Sequence, residues 1–161
     1  MKRFFVFLLG DALNSGEIYD AERDNWTHIT NMNVKRSGAA AVSFPEENKI
    51  MVIGGYNGTS RVATVEIYDP VTNRWTMGPP MSQERSNFAT CVIENKLYVM
   101  GGYTGSTTLR DVEIYDLRDN TWQFGRPIGA GRSAMKAICL GKWFHEILHL
   151  SIHDIRYYNG L

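Results

Sequence analysis

A short motif, Glu-Ile-Tyr-Asp, occurs three times in this chain of 161 residues at an almost constant spacing. The copies span Glu17–Asp20, Glu66–Asp69 and Glu113–Asp116, which are offset by 49 and 47 residues. A tryptophan follows seven residues after each tyrosine, and an Arg-Ser pair begins ten residues after each tryptophan. Periods of about 40–50 residues with strand-like composition are typical of β-propeller blades. The repeat therefore predicts an all-β chain made of successive, similar blades.

Segment 37–78 contains everything that one blade requires. Four short apolar or alternating stretches are separated by turn residues, a pattern that predicts antiparallel strands. These stretches are 37–44, 49–55, 62–69 and 74–77. Segment 86–125 repeats the arrangement, so the sequence predicts two complete four-stranded blades, at about 37–78 and 86–125.

The residues that keep the repeat period are interpreted as structural markers. A Gly-Gly pair ends the second strand of each complete unit, where glycine alone adopts positive φ freely and lets backbones approach closely. Tyrosine and tryptophan each bury a large apolar body, so at a fixed offset they can fill the gap between neighbouring sheets. The markers are Gly54, Gly55, Gly101, Gly102, Tyr19, Tyr68, Tyr115, Trp26, Trp75 and Trp122.

This combination of double glycine, tyrosine and tryptophan, repeated in register over about residues 1–140, resembles the kelch repeat family. The Arg-Ser start of each unit looks most like the kelch half of BTB-kelch proteins. The resemblance implies a kelch-type β-propeller, which in that subfamily usually has six blades.

The repeat also predicts how the chain is divided. At the start, Phe4–Phe7 aligns with Ile50–Ile53, but Leu8-Leu9 stands where Gly-Gly is expected. Two complete blades flanked by incomplete ones cannot close a ring, which needs at least about four blades. We therefore expect an open arc, either a fragment, a truncated isoform or the product of a damaged gene, with open apolar edges that favour self-association. The predicted parts are an incomplete unit at 1–35, kelch repeats at 36–84 and 85–131, the start of a further repeat at 132–140 and a divergent tail at 141–161.

Charge and cysteine content narrow the possible partners and the compartment. Seventeen basic residues balance seventeen acidic ones, so neither nucleic acid nor a membrane surface is an expected partner. Cys91 and Cys139 predict no disulfide framework and no metal knuckle, which favours a reducing compartment and a cytoplasmic location. The alternative is secretion, if residues 1–12 act as a signal peptide, because Phe4–Leu9 is apolar and follows a basic start. The other interpretation of this run is a buried strand.

The stretch His-Glu-Ile-Leu-His at 145–149 would be a zinc-binding motif if it were helical. Aligned on the repeat, however, residues 144–147 correspond to the strand Leu97–Met100. Residues four apart in a strand lie about 13 Å from each other and cannot share one ion. We therefore predict a strand here, with His145, His149 and His153 at a solvated polar edge, and we expect no metal, no cofactor and no catalytic site.

The candidate binding residues lie at the start of each unit and just after each Gly-Gly pair. We expect the repeated arginines to ring the channel mouth, where guanidinium groups suit the capture of carboxylates from a protein substrate or acidic peptide. The resemblance adds that BTB-kelch proteins hold substrate segments with residues at these positions. The alternative is that these side chains bridge blades and cap turns. The candidates are Arg36, Ser37, Arg85, Ser86, Arg132, Ser133, Tyr56, Asn57, Tyr103 and Thr104.

The expected function is that of a non-enzymatic protein-interaction module. The resemblance implies part of a substrate-recognition propeller of a cullin-based ubiquitin ligase, attached through BTB and BACK regions that these 161 residues do not contain. The alternatives are an actin-binding cytoskeletal kelch protein and a truncated product without independent function.

Overall fold

The computed structural model describes residues 3–6, 11–44, 48–140 and 143–147. In these residues all the regular secondary structure is β-strand, and the strands form four separate antiparallel sheets. No helix in the described part of the chain is long and apolar enough to cross a membrane.

The two central sheets are the complete blades. Blade 2 contains β4 (Ala40–Phe44), β5 (Lys49–Ile53), β6 (Val65–Asp69) and β7 (Arg74–Gly78), hydrogen-bonded in that order. Blade 3 contains β8 (Ala89–Ile93), β9 (Lys96–Met100), β10 (Val112–Asp116) and β11 (Thr121–Phe124), again in chain order. The prediction of two four-stranded blades is confirmed, and the chain is an open arc as expected.

An incomplete sheet lies on each side of these two. Blade 1 contains β1 (Arg3–Val6), β2 (Glu17–Asp20) and β3 (Asn25–His28), which match the second, third and fourth strands of a complete blade. Blade 4 contains β12 (Lys136–Leu140) and β13 (Trp143–Ile147), which match the first and second strands. The first strands β4, β8 and β12 lie against one another, so they form the inner side of the arc.

The His-Glu-Ile-Leu-His stretch begins inside β13. His145 pairs with Ile138 of β12, and Leu140 pairs with Trp143 just as Ile93 pairs with Lys96 one blade earlier. The predicted strand is therefore confirmed for residues 144–147. His149 and His153 lie outside the described residues.

The apolar core lies between blades rather than within them. Strand β6 is buried on both of its faces. On one face Val65 packs against residues of blade 3, and on the other Tyr68, next to the buried Glu66, packs against residues that follow blade 1. Burying apolar surface on both faces is what a four-stranded sheet cannot do alone. Each blade is therefore stabilised mainly by its neighbours.

The Gly-Gly pair allows this close approach. Gly54 and Gly55 have φ of +58° and +97°, and a Cβ on Gly54 would lie 2.7 Å from the carbonyl oxygen of Arg85 in the next blade. Gly55 donates its N–H to that same carbonyl at 2.8 Å. The structural role expected for the glycine pair is confirmed, since any side chain there would push two blades apart.

Tyrosine and tryptophan also act as expected. The rings of Tyr68 and Trp75 have centroids 5.0 Å apart, and the indole N–H of Trp75 donates to the carbonyl of Thr30 in blade 1 at 2.7 Å. The hydroxyl of Tyr68 donates to Asn73 at 2.9 Å. Asn73 has φ of 52°, the left-handed conformation that this turn requires.

The cysteines differ from expectation. Cys91 of β8 and Cys139 of β12 form a disulfide between neighbouring blades, with their Cα atoms 6.2 Å apart, a separation usual for such bonds. The prediction that these two cysteines make no disulfide framework is therefore corrected by this one bond. Spacing alone did not show that β8 and β12 are adjacent inner strands, which bring together two residues 48 positions apart.

Candidate functional site: the loop face

Two of the three repeated arginines are buried between blades. The Nη1 of Arg36 donates to the carbonyls of Gly54 and Thr64 at 2.7 and 3.0 Å, and its Nη2 donates to Glu66 at 3.1 Å. In the next unit, Arg85 donates to the carbonyl of Gly101 at 2.8 Å and to Glu113 at 2.6 Å. The Nη atoms of both guanidinium groups are thus paired with internal acceptors, as buried charges must be, whereas the Nε of Arg36 is buried without a partner.

The glutamates of these pairs also hold the segment that connects one blade to the next. Glu66 accepts the backbone N–H groups of Asn33 and Val34 at 2.7 and 3.0 Å. Burial lowers the pKa of Arg36, and its hydrogen bond and charge interaction with Glu66 oppose that effect. This unit of connecting segment, arginine and glutamate is called the inter-blade junction below. The expectation that Arg36 and Arg85 ring an open channel mouth is wrong, because both side chains are buried in the junction and hydrogen-bonded to its glutamates.

Backbone hydrogen bonds help to position Arg132 and the serines that follow the arginines. Arg132 is half-buried and accepts the N–H of Gly102 through its carbonyl at 2.7 Å. Ser37 exchanges backbone hydrogen bonds with Tyr56 at 2.9 and 2.8 Å, and Ser86, which is buried, does the same with Tyr103 at 3.0 and 2.9 Å. Ser133 is half-buried. The structure therefore gives these positions a place in the fold, and their part in binding stays a prediction.

The remaining candidates come together on one surface. Segments 56–61 and 103–108 are the loops after the Gly-Gly pairs of blades 2 and 3, and they are called the loop face. Tyr56 and Tyr103 are half-buried, and their hydroxyls donate to the carbonyls of Gly58 and Gly105 at 2.8 and 2.7 Å. Each loop is thereby closed on itself with its aromatic ring presented at the junction of two blades.

Asn57 and Thr104 fold these loops. The Oδ1 of Asn57 accepts the N–H groups of Thr59 and Ser60 at 2.8 and 2.9 Å. The Oγ1 of Thr104 accepts the N–H of Thr107 at 3.1 Å. Short polar side chains that accept N–H groups two or three residues later are typical of turns, so both residues shape the surface.

Arg61 is the residue that sequence reasoning missed. Its guanidinium carbon lies 4.9 Å from the ring centroid of Tyr56 and 5.0 Å from that of Tyr103, so it is sandwiched between the loops of two blades. Its Nε is buried without a hydrogen-bond partner. Within the described residues no carboxylate pairs with it. Cation–π contacts of this kind hold an arginine in place without neutralising its charge.

A signal for Arg61 was present in the sequence. Aligned on Glu-Ile-Tyr-Asp, Arg61 corresponds to Thr108 in the next unit and to Ala12 in the preceding one. It is therefore a long cationic residue at a position that the repeat does not fix. Residues that recur in every repeat stabilise the scaffold that all blades share. A loop residue that occurs in one repeat only can instead make a contact specific to that blade.

The loop face therefore combines a positioned positive charge, two aromatic rings and turns rich in backbone polar groups. Guanidinium groups suit the recognition of carboxylates and phosphates in general. In the described part of the chain no group of three or more His, Cys, Asp or Glu residues is placed to hold a metal ion.

Blades of four antiparallel strands, joined through Gly-Gly, tyrosine, tryptophan and buried arginine–glutamate pairs, define a kelch-type propeller scaffold. The family model that matches is the KLHDC2/KLHL20/DRC7 Kelch-repeats domain, over residues 9–144. The chain therefore belongs to the kelch-repeat family, whose fold is a protein-interaction fold.

Curated relatives agree with this assignment. The Kelch repeat and BTB domain-containing protein F47D12.7 of Caenorhabditis elegans is 41% identical over 63 residues, which is 39% of this chain and 10% of that protein. Kelch-like protein 25 of Homo sapiens is 35% identical over 74 residues, or 44% of this chain and 12% of that protein. The chain thus matches only about a tenth of the length of these relatives.

A solved structure shows the same fold. The structure of YjhT superposes with a TM-score of 0.74 at 18% sequence identity, covering 86% of this chain and 53% of that one. At this identity the likeness concerns the fold alone. The arc of this chain therefore corresponds to about half the length of a kelch propeller.

Proposed function

We propose that this chain is a protein-interaction module that binds an acidic segment of a partner protein on the loop face and performs no catalysis. The observation that carries the proposal is Arg61, a cation sandwiched between Tyr56 and Tyr103 with no carboxylate partner among the described residues. A partner's Asp or Glu would supply that carboxylate.

The physical reason is that the positive charge of Arg61 differs from those of the two junction arginines in having no carboxylate beside it among the described residues. The guanidinium groups of Arg36 and Arg85 are already matched by Glu66 and Glu113. Arg61, in contrast, is half-buried between two aromatic rings, and no carboxylate among the described residues pairs with it. A carboxylate bound there would form charge-assisted hydrogen bonds, which are among the stronger polar contacts in proteins.

The cellular role that we propose is substrate recognition within a cullin-based ubiquitin ligase. It is supported by the relatives named as kelch-repeat and BTB domain proteins and by the resemblance of the Arg-Ser units to the kelch half of such proteins. In this role the loop face would hold the substrate, and a BTB-containing region would connect it to the ligase.

Binding of fluorescein-labelled peptides, followed by fluorescence anisotropy, tests the proposal. The probes are peptides rich in Asp and Glu, selected for binding from a displayed library, and the same peptides with Asn and Gln replacing the acids. We expect binding of the acidic form, little binding of the amide form, and at least about a tenfold loss of affinity in Arg61→Ala, the usual effect of removing a charge-assisted hydrogen bond.

Arg74→Ala is the matched control, because Arg74 is an exposed arginine on the outer strand β7, away from the loop face. Equal losses in Arg61→Ala and Arg74→Ala would mean that the peptides sense only net charge and would contradict the proposal. Co-sedimentation with filamentous actin, unaffected by Arg61→Ala, would favour the cytoskeletal alternative instead.

A further inference from the structure

Exposed hydroxyl groups of the blade 3 loop lie beside Arg61, the cation of the loop face. This loop has the sequence Tyr-Thr-Gly-Ser-Thr-Thr at 103–108. A Cβ on Gly105 would lie 3.1 Å from Nη1 of Arg61 and 3.6 Å from its Cζ, so the guanidinium lies against the backbone of the loop. Ser106 is the next residue and is exposed, and consecutive Cα atoms are about 3.8 Å apart. The side chain of Ser106 therefore starts close to the guanidinium.

The hydroxyl of Ser106 is the best placed of those in the loop. The Oγ1 of Thr104 accepts the N–H groups of Ser106 and Thr107 at 3.3 and 3.1 Å, so that side chain closes the turn. Thr108 faces the segment that leads to blade 4, since a Cβ on Gly131 would lie 3.0 Å from its Oγ1. Thr107 is exposed but lies one residue further along the loop. The Oγ of Ser106 contacts Oγ1 of Thr104 at 3.2 Å.

The charge around Ser106 suits a phosphate group. Segments 56–61 and 103–108 contain one charged residue, Arg61, so together they carry a net charge of +1. Among the described residues no carboxylate pairs with that arginine. A phosphate brings about −1.5 to −2 charges at pH 7 and three acceptor oxygens, and it forms charge-assisted hydrogen bonds with a nearby arginine. Neither loop contains an acidic side chain that would repel it.

The loop of blade 2 provides a comparison within the same chain. Gly58 and Thr59 occupy the positions that Gly105 and Ser106 occupy in blade 3. A Cβ on Gly58 would have the Cβ of Ala12 as its nearest neighbour, at 3.9 Å. At this equivalent place the preceding blade therefore presents a methyl group to the loop instead of a guanidinium.

We propose that Ser106 is a phosphorylation site whose phosphate pairs with Arg61 and thereby closes the loop face to acidic segments. The proposal rests on the proposed function, because it adds regulation to the same site. A protein kinase would supply the phosphoryl group from ATP. The bond from Oγ to the γ-phosphorus forms as the bond from that phosphorus to the bridging oxygen of ADP breaks, and the hydroxyl proton passes to a base of the kinase.

Phosphorylation would reverse the sign of the charge on the loop face. The net charge of the two loop segments changes from +1 to between about −0.5 and −1. The phosphate oxygens would accept the N–H groups of Arg61 that a partner's carboxylate needs. The remaining negative charge would repel the acidic segment, since like charges placed opposite each other suppress binding.

Phosphoserine incorporated at position 106 during translation tests the contact by phosphorus NMR. We expect the second pKa of the phosphate, ordinarily about 6, to be lowered by about one unit, because Arg61 stabilises the dianion. The pKa should return to about 6 in Arg61→Gln. Arg61→Lys keeps the charge and should retain part of the lowering, which covers the case in which Arg61→Gln does not fold. The same phosphate pKa in the parent chain and in these variants would overturn the proposal.

Phosphoserine at position 59, in place of Thr59, is the matched control. It adds the same charge at the equivalent place in the neighbouring loop, opposite the methyl group of Ala12. We expect its phosphate pKa to stay closer to about 6 and to change less in Arg61→Gln. An equal lowering at the two positions would reveal a general attraction to positive charge, without the specific contact, and would also overturn the proposal.

Peptide binding distinguishes a failure of this proposal from a failure of the proposed function. Phosphoserine at position 106 should weaken acidic-peptide binding at least about tenfold by anisotropy, and phosphoserine at position 59 should weaken it less. Undiminished binding to the chain modified at position 106 would overturn the regulation. An unmodified chain that binds no acidic peptide would contradict the proposed function, and with it the competition, while phosphorus NMR decides the contact separately.

Mass spectrometry tests whether kinases modify this residue. The chain is expressed in animal cells treated with a phosphatase inhibitor, and its phosphorylated peptides are sequenced. We expect phosphate on Ser106 and its loss in Ser106→Ala. Complete coverage of residues 103–108 with phosphate only on the neighbouring threonines, or with none, would overturn the assignment of the site.

Discussion

The guanidinium of Arg85 donates to the carboxylate of Glu113 at 2.6 Å, and both side chains are almost completely excluded from solvent. The pair joins the segment that leaves blade 2 to the third strand of blade 3. Both charges were taken out of water during folding, and each is compensated by the other and by backbone groups. The stability of the arc therefore depends on keeping both members.

Glu113→Ala should lower the free energy of unfolding by at least about 2 kcal/mol, because it leaves the buried Arg85 with only the partly exposed Asp111 at 3.2 Å and removes the acceptor of two backbone N–H groups. Urea denaturation followed by tryptophan fluorescence measures the change. Glu22→Ala, on an exposed turn, is the control and should change stability by less than about 0.5 kcal/mol. Similar effects of the two substitutions would show that the buried pair does not hold the blades together.

Gly54→Ala should lower the free energy of unfolding by about 1–3 kcal/mol from backbone strain alone. The new Cβ would require a left-handed alanine at φ of +58° and would lie 2.7 Å from the carbonyl of Arg85. Gly129→Ala is the comparison, since its Cβ would meet nothing within 4 Å. Thermal unfolding of the two variants side by side decides the matter, and an undisturbed Gly54→Ala would refute the close contact between blades.

Gly58 and Gly105 offer a matched pair for testing the loop face. They occupy equivalent positions with φ of +104° and +109°, so alanine causes the same backbone strain in both. A Cβ at Gly105 would lie 3.1 Å from Nη1 of Arg61, whereas at Gly58 the nearest atom is 3.9 Å away on Ala12. Gly105→Ala should therefore weaken acidic-peptide binding several-fold more than Gly58→Ala, as measured by anisotropy. Equal losses of affinity in the two variants would show that peptide binding does not depend on the position of Arg61.

The disulfide between Cys91 and Cys139 makes stability depend on reductant. Without reductant, Cys139→Ser should lower the free energy of unfolding by about 2–4 kcal/mol, because the cross-link restricts the unfolded chain. With reductant, parent and variant should unfold at nearly the same urea concentration. A difference that persists unchanged under reducing conditions would show that the sulfur atoms do not act through a covalent bond.

Features that repeat were predictable from the sequence. The strands of blades 2 and 3, the positive φ of Gly54 and the contact of Tyr68 with Trp75 all follow from a pattern that occurs more than once. Even the strand at residues 144–147 followed from the register, against the suggestion of a zinc motif.

The direction of a long side chain did not follow from the period. Arg36 and Arg85 were expected at an open surface, but the glutamate of Glu-Ile-Tyr-Asp repeats with the same period and is their buried partner. Arg61 was overlooked for the opposite reason, since it occurs in one unit only. Its placement between Tyr56 and Tyr103 depends on the packing of two blades, which a single sequence does not reveal.

Hydrogen–deuterium exchange with and without a saturating acidic peptide tests the central claim most directly, that the loop face binds acidic segments through Arg61. The account predicts slower exchange at residues 56–61 and 103–108, no change at the outer turns 70–73 and 117–120, and loss of the effect in Arg61→Ala. Protection confined to the outer turns, or the same protection of the loops in Arg61→Ala, would contradict it.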